Sequence, residues 1–198
     1  MGKNARLILI IIVVVVAAGV IYYLVGERKP PVVEAPFGRA ADIAYATTAW
    51  SVLSEMSMVG PGAEVADAYP GGAPHGELLE TVTRQAMIAG HDGTLIVKKN
   101  FAATGQGEDG EEGEGITPEQ VAADPDAYLV AITIMFQREA GYDEANQNWF
   151  WAKYLPDGSL DQNPAGIKLA GRVGDREADV GCLGCHDDAP GEDYIFNN

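Results

Sequence analysis

The clearest chemistry in this sequence lies in Gly181-Cys182-Leu183-Gly184-Cys185-His186, which reads C-x-x-C-H, the attachment signature of a c-type haem. On a helical turn, residues three and four apart share a face. Cys182 and Cys185 can therefore both meet one porphyrin edge as thioethers, and His186 then supplies an imidazole nitrogen to the iron. These are the only two cysteines in the 198 residues. A zinc site would want more Cys or His close by, and no second pair exists. A thioredoxin-like dithiol belongs early in a βαβ unit, not here. The expectation is one covalently attached haem c, bound through Cys182 and Cys185, with His186 as metal ligand.

The elements that must position this motif read as strand-rich α+β. Ala40 to Met58 has helical periodicity, with Ile43, Trp50, Leu53 and Met56 along one side and Gly60-Pro61 as its stop. Glu77 to Thr83 reads as a strand, Arg84 to Ala89 as a short helix, Asp92-Gly93 as a turn and Thr94 to Lys99 as a second strand. Thr117-Pro118-Glu119-Gln120 has the pattern of a capping box. Tyr128 to Phe136 and Asn148 to Leu155 read as two further strands. Gly105 to Gly115 is acidic and glycine-rich with no apolar residue to bury, so it reads as a surface loop. His75 and His91 sit in turn-like contexts, where iron ligation is not expected. Trp149, Phe150, Trp151 and Tyr154 are candidates to line a pocket, and Arg84 and Arg138 are candidates to pair with propionates. No internal repeat is visible.

Leu7 to Val25 is an unbroken apolar run preceded by Lys3 and Arg6. At about 1.5 Å per residue it spans roughly 28 Å, close to a bilayer core. Ala17-Ala18-Gly19 is followed by Ile21-Tyr22-Tyr23, a poor cleavage site, so the run reads as an uncleaved signal anchor. Residues 1–6 are then cytoplasmic, 7–25 transmembrane, 26–37 a proline-rich linker and 38–198 the haem domain. C-type haems are attached on the outer side of the membrane, so the domain is expected on the periplasmic side of the inner membrane. The net charge is −16, and beyond residue 25 there remain 11 basic and 29 acidic residues. That acidity disfavours nucleic acid and anionic lipid surfaces as partners. It allows a basic redox partner, and a homodimer is left open.

Helical cytochromes c′ carry the same motif on the last helix of a bundle, and small electron-carrier cytochromes carry it near the N-terminus with a ligand Met downstream. No Met follows His186 here. Instead the chain from about Pro74 to Phe196 resembles the cytochrome P-460 family, which includes the cytochromes c′-beta. The resemblance is carried by Pro74-His75-Gly76, Asp92-Gly93-Thr94-Leu95-Ile96-Val97-Lys98, Asn148 to Tyr154, the haem motif and Asp193-Tyr194-Ile195-Phe196. It implies a mainly antiparallel sheet with a few helices around one five-coordinate c-type haem, with an open distal site. It also implies that Lys98 is the lysine that cross-links to the porphyrin, where desolvation favours the nucleophilic amine. Lys98 as a solvated strand-end charge is the alternative.

Hydroxylamine-oxidising members of the family use a distal carboxylate to move protons. The corresponding strand here is Ala131 to Phe136, with Thr133 near that position and no Asp or Glu between Tyr128 and Gln137. Glu139 would stand in only if the alignment slips. An apolar distal pocket favours neutral diatomic ligands. The leading expectation is a membrane-anchored cytochrome that binds or oxidises small nitrogen species such as hydroxylamine or nitric oxide, passing electrons to a partner cytochrome. A non-catalytic gas-binding protein and a simple electron carrier are the alternatives.

Overall fold

The computed structural model describes residues 36–60, 62–63, 67–103, 115–190 and 194–196. The apolar run 7–25, most of the linker and most of the acidic loop lie outside the described residues. Among the described residues no helix is long and apolar enough to cross a membrane.

Six strands form one antiparallel sheet in chain order: β1 (Tyr69–Pro70), β2 (Leu78–Ile88), β3 (His91–Phe101), β4 (Leu129–Gln137), β5 (Trp149–Tyr154) and β6 (Ala170–Gly171). The expected α+β class and its antiparallel sheet are thus present. β2 and β3 form a long hairpin with Ile88 opposite His91. Its two-residue turn, Ala89-Gly90, has φ of 51° and 85°, both positive, as a tight hairpin requires. The expected helix over Arg84–Ala89 is therefore absent: those residues continue β2. Asp92-Gly93 is not a turn either, but the start of β3. Gly93 is needed there because a Cβ would collide with the Gln137 carbonyl oxygen on the neighbouring chain segment. The strands expected at Tyr128–Phe136 and Asn148–Leu155 are found within one residue at each end.

Helix α1 (Ala40–Glu55) packs on one face of the sheet. Its N-terminus is closed by Asp42, which accepts a hydrogen bond from the Arg39 amide at 3.2 Å. The buried stripe is Ala46, Ala49 and Leu53, rather than the larger Ile43, Trp50 and Met56, which are only half-buried. Small side chains let the helix lie close, and the Tyr154 hydroxyl donates to the Ala46 carbonyl at 2.8 Å to tie sheet to helix. Because side chains alternate across a strand, Leu95, Val97, Ile132, Ile134, Phe136, Phe150 and Tyr154 face α1. Their neighbours Ile96, Met135, Trp149 and Trp151 face the other way, with Val173, Leu183 and Tyr194.

Helix α2 (Pro118–Ala123) has the expected capping box: the Thr117 hydroxyl accepts from the Gln120 amide at 3.3 Å, and the Thr117 amide donates to the Gln120 side chain at 2.8 Å. Helix α3 (Pro125–Tyr128) leads directly into β4. The last helix, α4 (Gly181–Asp187), contains the C-x-x-C-H motif and lies on the face of the sheet opposite α1.

Candidate functional site

The site is organised by a single row across the sheet. Thr81 pairs with Lys98, Lys98 with Thr133, and Thr133 with Lys153. Residues paired this way stand roughly 5 Å apart on one face. The row therefore sets four hydroxyl- or amine-bearing side chains in a line on the face that meets α4. The adjacent row is apolar: Ile96, Met135 and Trp151.

Helix α4 brings Cys182, Cys185 and His186 against this face. Leu183 anchors it in the core beside Val173. Gly184, between the cysteines, allows the close approach: a Cβ there would meet the Asp179 backbone at 2.6 Å. Cys182 is half-buried and Cys185 exposed, and neither is in a disulfide. His186 is 6% exposed. Its Nδ1 lies 2.7 Å from the Tyr194 carbonyl oxygen. A carbonyl only accepts, so Nδ1 carries the proton and Nε2 keeps its lone pair for a metal. Trp151 and Phe196 pack edge-on against the ring, with centroids 4.8 and 5.3 Å away, fixing its rotation. Burial lowers the pKa of His186, partly opposed by the bond to Tyr194, so the ring is held neutral.

Two spaces with shared walls lie between α4 and the sheet. An inner chamber of about 40 Å³ is lined by Ile96, Lys98, Thr133, Met135 and Trp151, among others. A wider pocket of about 540 Å³ is bordered by β1 and residues 71–75 after it, and by Lys98, Thr133, Lys153, Cys182, Cys185 and His186. The wider one has the size of a cofactor site, roughly 300–1,000 Å³. The indole N–H of Trp151 is buried in the chamber wall and has no partner among the described residues. Such an orphaned donor is costly unless something else satisfies it. Thiols, a neutral imidazole with a free Nε2, an unpartnered donor and a pocket of this size all fit a haem.

Lys98 is half-buried inside β3 and lines both spaces. Burial lowers its pKa, with the charge of Cys182 opposing, which favours the neutral amine. Thr133 also lines both, so Cys182, His186, Lys98 and Thr133 converge in one place, with Cys185 at the outer rim. No Asp or Glu lines either space among the described residues. Glu139 does not stand in: it pairs with Arg138 at 2.6 Å, and Arg138 lies over the rings of Tyr45 and Tyr142 on the α1 face.

Arg138 is therefore no partner for a propionate, and Arg84 is exposed with its guanidinium on the Thr83 carbonyl. Of the four aromatic candidates only Trp151 reaches the cavity; Phe150 and Tyr154 belong to the opposite core. His75 was missed by local sequence context. It is not on a bare surface turn: its ring lies 6.0 Å from that of His186, and it lines both spaces. Burial, followed by the nearby Lys98 charge, pushes its pKa down to about 3. The signal that pointed to it was the Pro74-His75-Gly76 motif. His91 packs on Phe136, away from the site.

An antiparallel sheet with α1 on one face and a C-x-x-C-H helix closing a cavity on the other defines a haem-binding cytochrome. The chain belongs to the Cytochrome P460 family, whose family model matches residues 77–197. No curated protein and no solved structure matches it.

Proposed function

We propose that this chain is a mono-haem cytochrome with its haem attached covalently through Cys182 and Cys185 and held axially by His186, and that it binds small neutral nitrogen species, nitric oxide foremost. The carrying observation is the inner chamber. Its lining is largely apolar, with Lys98, Thr81, Thr133 and the two imidazoles as polar side chains, and no carboxylate lines it among the described residues. At about 40 Å³ it has room for a ligand of a few atoms, since one water needs roughly 10–15 Å³ on the same measure. A bound haem supplies an iron able to take up such ligands and to change oxidation state.

The chain's own residues do the rest. Tyr194 fixes the tautomer of His186 and raises its basicity as a ligand. Trp151 and Phe196 hold the ring and exclude water. Thr133 offers a hydroxyl to a polar end of the bound species. The apolar run 7–25 would anchor the domain to the inner membrane on the periplasmic side, with an acidic surface suited to a basic redox partner.

A second reading, oxidation of hydroxylamine, is favoured by one observation. Lys98 lines the cavity, and burial lowers the pKa of its amine, the direction a cross-link to the porphyrin would need. That no Asp or Glu lines the cavity among the described residues speaks against it.

The deciding experiment is the absorption spectrum of the purified ferrous protein, recorded with and without nitric oxide, beside intact mass after acid denaturation. A retained haem mass with an ordinary c-type spectrum that shifts with nitric oxide supports the binding reading. A red-shifted chromophore surviving in the denatured haem peptide supports the Lys98 cross-link. Loss of the haem mass on denaturation would refute covalent attachment.

A further inference from the structure

Thr81 stands at one end of the row of paired side chains on the cavity face, half-buried on β2. It lines the inner chamber together with His186, Lys98 and Thr133. Its hydroxyl oxygen lies 2.6 Å from the phenolic oxygen of Tyr69. Tyr69 borders the wider pocket, so this one bond joins a wall of each space.

The sheet register produces the contact. β1 is a two-residue edge strand paired only with β2, with Tyr69 opposite Leu79. Thr81 is then the diagonal neighbour of Tyr69 on the same face, roughly 7–8 Å away, a gap that an aromatic side chain spans. A phenolic O–H is a stronger donor than an aliphatic one, and each hydroxyl has a single hydrogen to give. Tyr69 therefore donates and Thr81 accepts. The hydrogen of Thr81 remains unused: among the described residues its side chain has no second partner. Accepting one bond polarises a hydroxyl and strengthens the next bond it donates. It also occupies one lone pair of Thr81, which narrows the directions in which the O–H can point.

We propose that Thr81, held and polarised by Tyr69, is a specificity-determining donor: it hydrogen-bonds a ligand in the chamber and so favours nitric oxide over carbon monoxide. The inference rests on the haem reading above and deepens it. Ferrous iron passes electron density to a bound diatomic, and nitric oxide carries more of it on its outer atom than carbon monoxide does, so nitric oxide is the better acceptor. Donors in a haem pocket select among ligands in this way, and a largely apolar chamber strengthens the bond by keeping the local dielectric low.

The test uses the haem-loaded full chain, with infrared spectra of its ferrous nitric oxide and carbon monoxide complexes and the dissociation rate of each gas. Thr81→Val keeps the side-chain shape and removes the hydroxyl. It should raise the N–O stretching frequency and speed nitric oxide dissociation about two- to tenfold, the worth of one hydrogen bond, with a smaller change for carbon monoxide. Tyr69→Phe should move the same readings in the same direction by less. Thr81→Ser should restore the wild-type values, a rescue that a packing role would not give. If Thr81→Val fails to take up haem, Tyr69→Phe and Thr81→Ser decide by the same readings. Unchanged readings in Thr81→Val overturn the inference, as does a Tyr69→Phe protein identical to wild type, or an equal loss for both gases. Intact mass and the wild-type spectra keep the two readings apart: haem retained and nitric oxide bound, but insensitive to these variants, sinks this inference alone, whereas a wild type without haem, or one that takes up no nitric oxide, sinks both.

Discussion

Glu80 and Lys99 are cross-strand partners on the α1 face, 3.1 Å apart, with side chains only 1% and 10% exposed. Glu80 Oε1 has no partner among the described residues, and Met58, Val82 and Val97 line the space beside the pair. Taking one member away leaves a charge in an apolar core. Breaking a buried pair in this way costs about 3–5 kcal/mol, while replacing both members with apolar groups of similar volume is about neutral or stabilising. Lys99→Met alone should therefore cost about 3–5 kcal/mol, and Glu80→Leu with Lys99→Met should recover most of it. With a urea dependence of about 2 kcal/mol per molar, the single variant's midpoint falls by about 1.5–2.5 M. Far-UV circular dichroism of the haem-loaded chain during urea titration reads this directly. The double-variant cycle isolates the coupling. A single-variant cost under about 1 kcal/mol would show that water screens the pair, and a double variant as unstable as the single would show that its charge is not what matters. Lys98, the next residue, faces the cavity, so the single variant should also shift the haem spectrum if this pair holds the β2–β3 register.

Gly184→Ala should lower haem loading, because its Cβ meets the Asp179 backbone; the overpacking costs about 1–3 kcal/mol, and pyridine haemochrome per mole of protein measures it. Tyr154→Phe loses the bond to Ala46, about 1 kcal/mol, so Tm should fall by about 2–4 °C for a chain of this size, with the haem spectrum unchanged. Tyr45 is raised to about 12 by burial, with the Arg138 charge opposing. A raised folded pKa means a contribution present in full below the ordinary tyrosine value, near 10, and lost as pH climbs towards 12. Alkaline titration followed by tyrosinate absorbance should show this tyrosine ionising late, and Tyr45→Phe should remove that step.

Much of the site was legible because its parts are local. The haem motif is contiguous, and the family resemblance pointed to Lys98 and Thr133. Their meeting was not legible, since it depends on the pairing register of β3 with β4, which no single segment encodes. The β2–β3 hairpin was misjudged for a related reason. Arg84-Gln85-Ala86-Met87 has no strand-like alternation strong enough to outweigh its helix propensity; pairing with Asp92–Leu95 overrides it. The turn itself puts Ala89 at positive φ, which a non-glycine residue seldom signals. His75 escaped because a Pro-Gly loop reads as surface until the fold shows what it covers. The aromatic strand β5 revealed that Trp149, Phe150, Trp151 and Tyr154 were core, but only the parity of the strand decides which of them meets the cavity.

The bond from His186 to a main-chain oxygen carries a consequence for how the protein tolerates change. Substituting Tyr194 cannot delete that acceptor, because every residue has one. What can vary is its aim. Tyr194 has φ of 64°, a sparsely populated conformation for a residue with a side chain, and its hydroxyl donates to the Asn146 side chain at 3.2 Å. The donor strength of the histidine is thus insulated from drift at the contacting position. It is exposed instead to drift at Asn146, 48 residues earlier in the chain, on a short 3₁₀ turn before β5. A lineage retuning this centre would find its accessible mutations there, in a residue that never meets the iron.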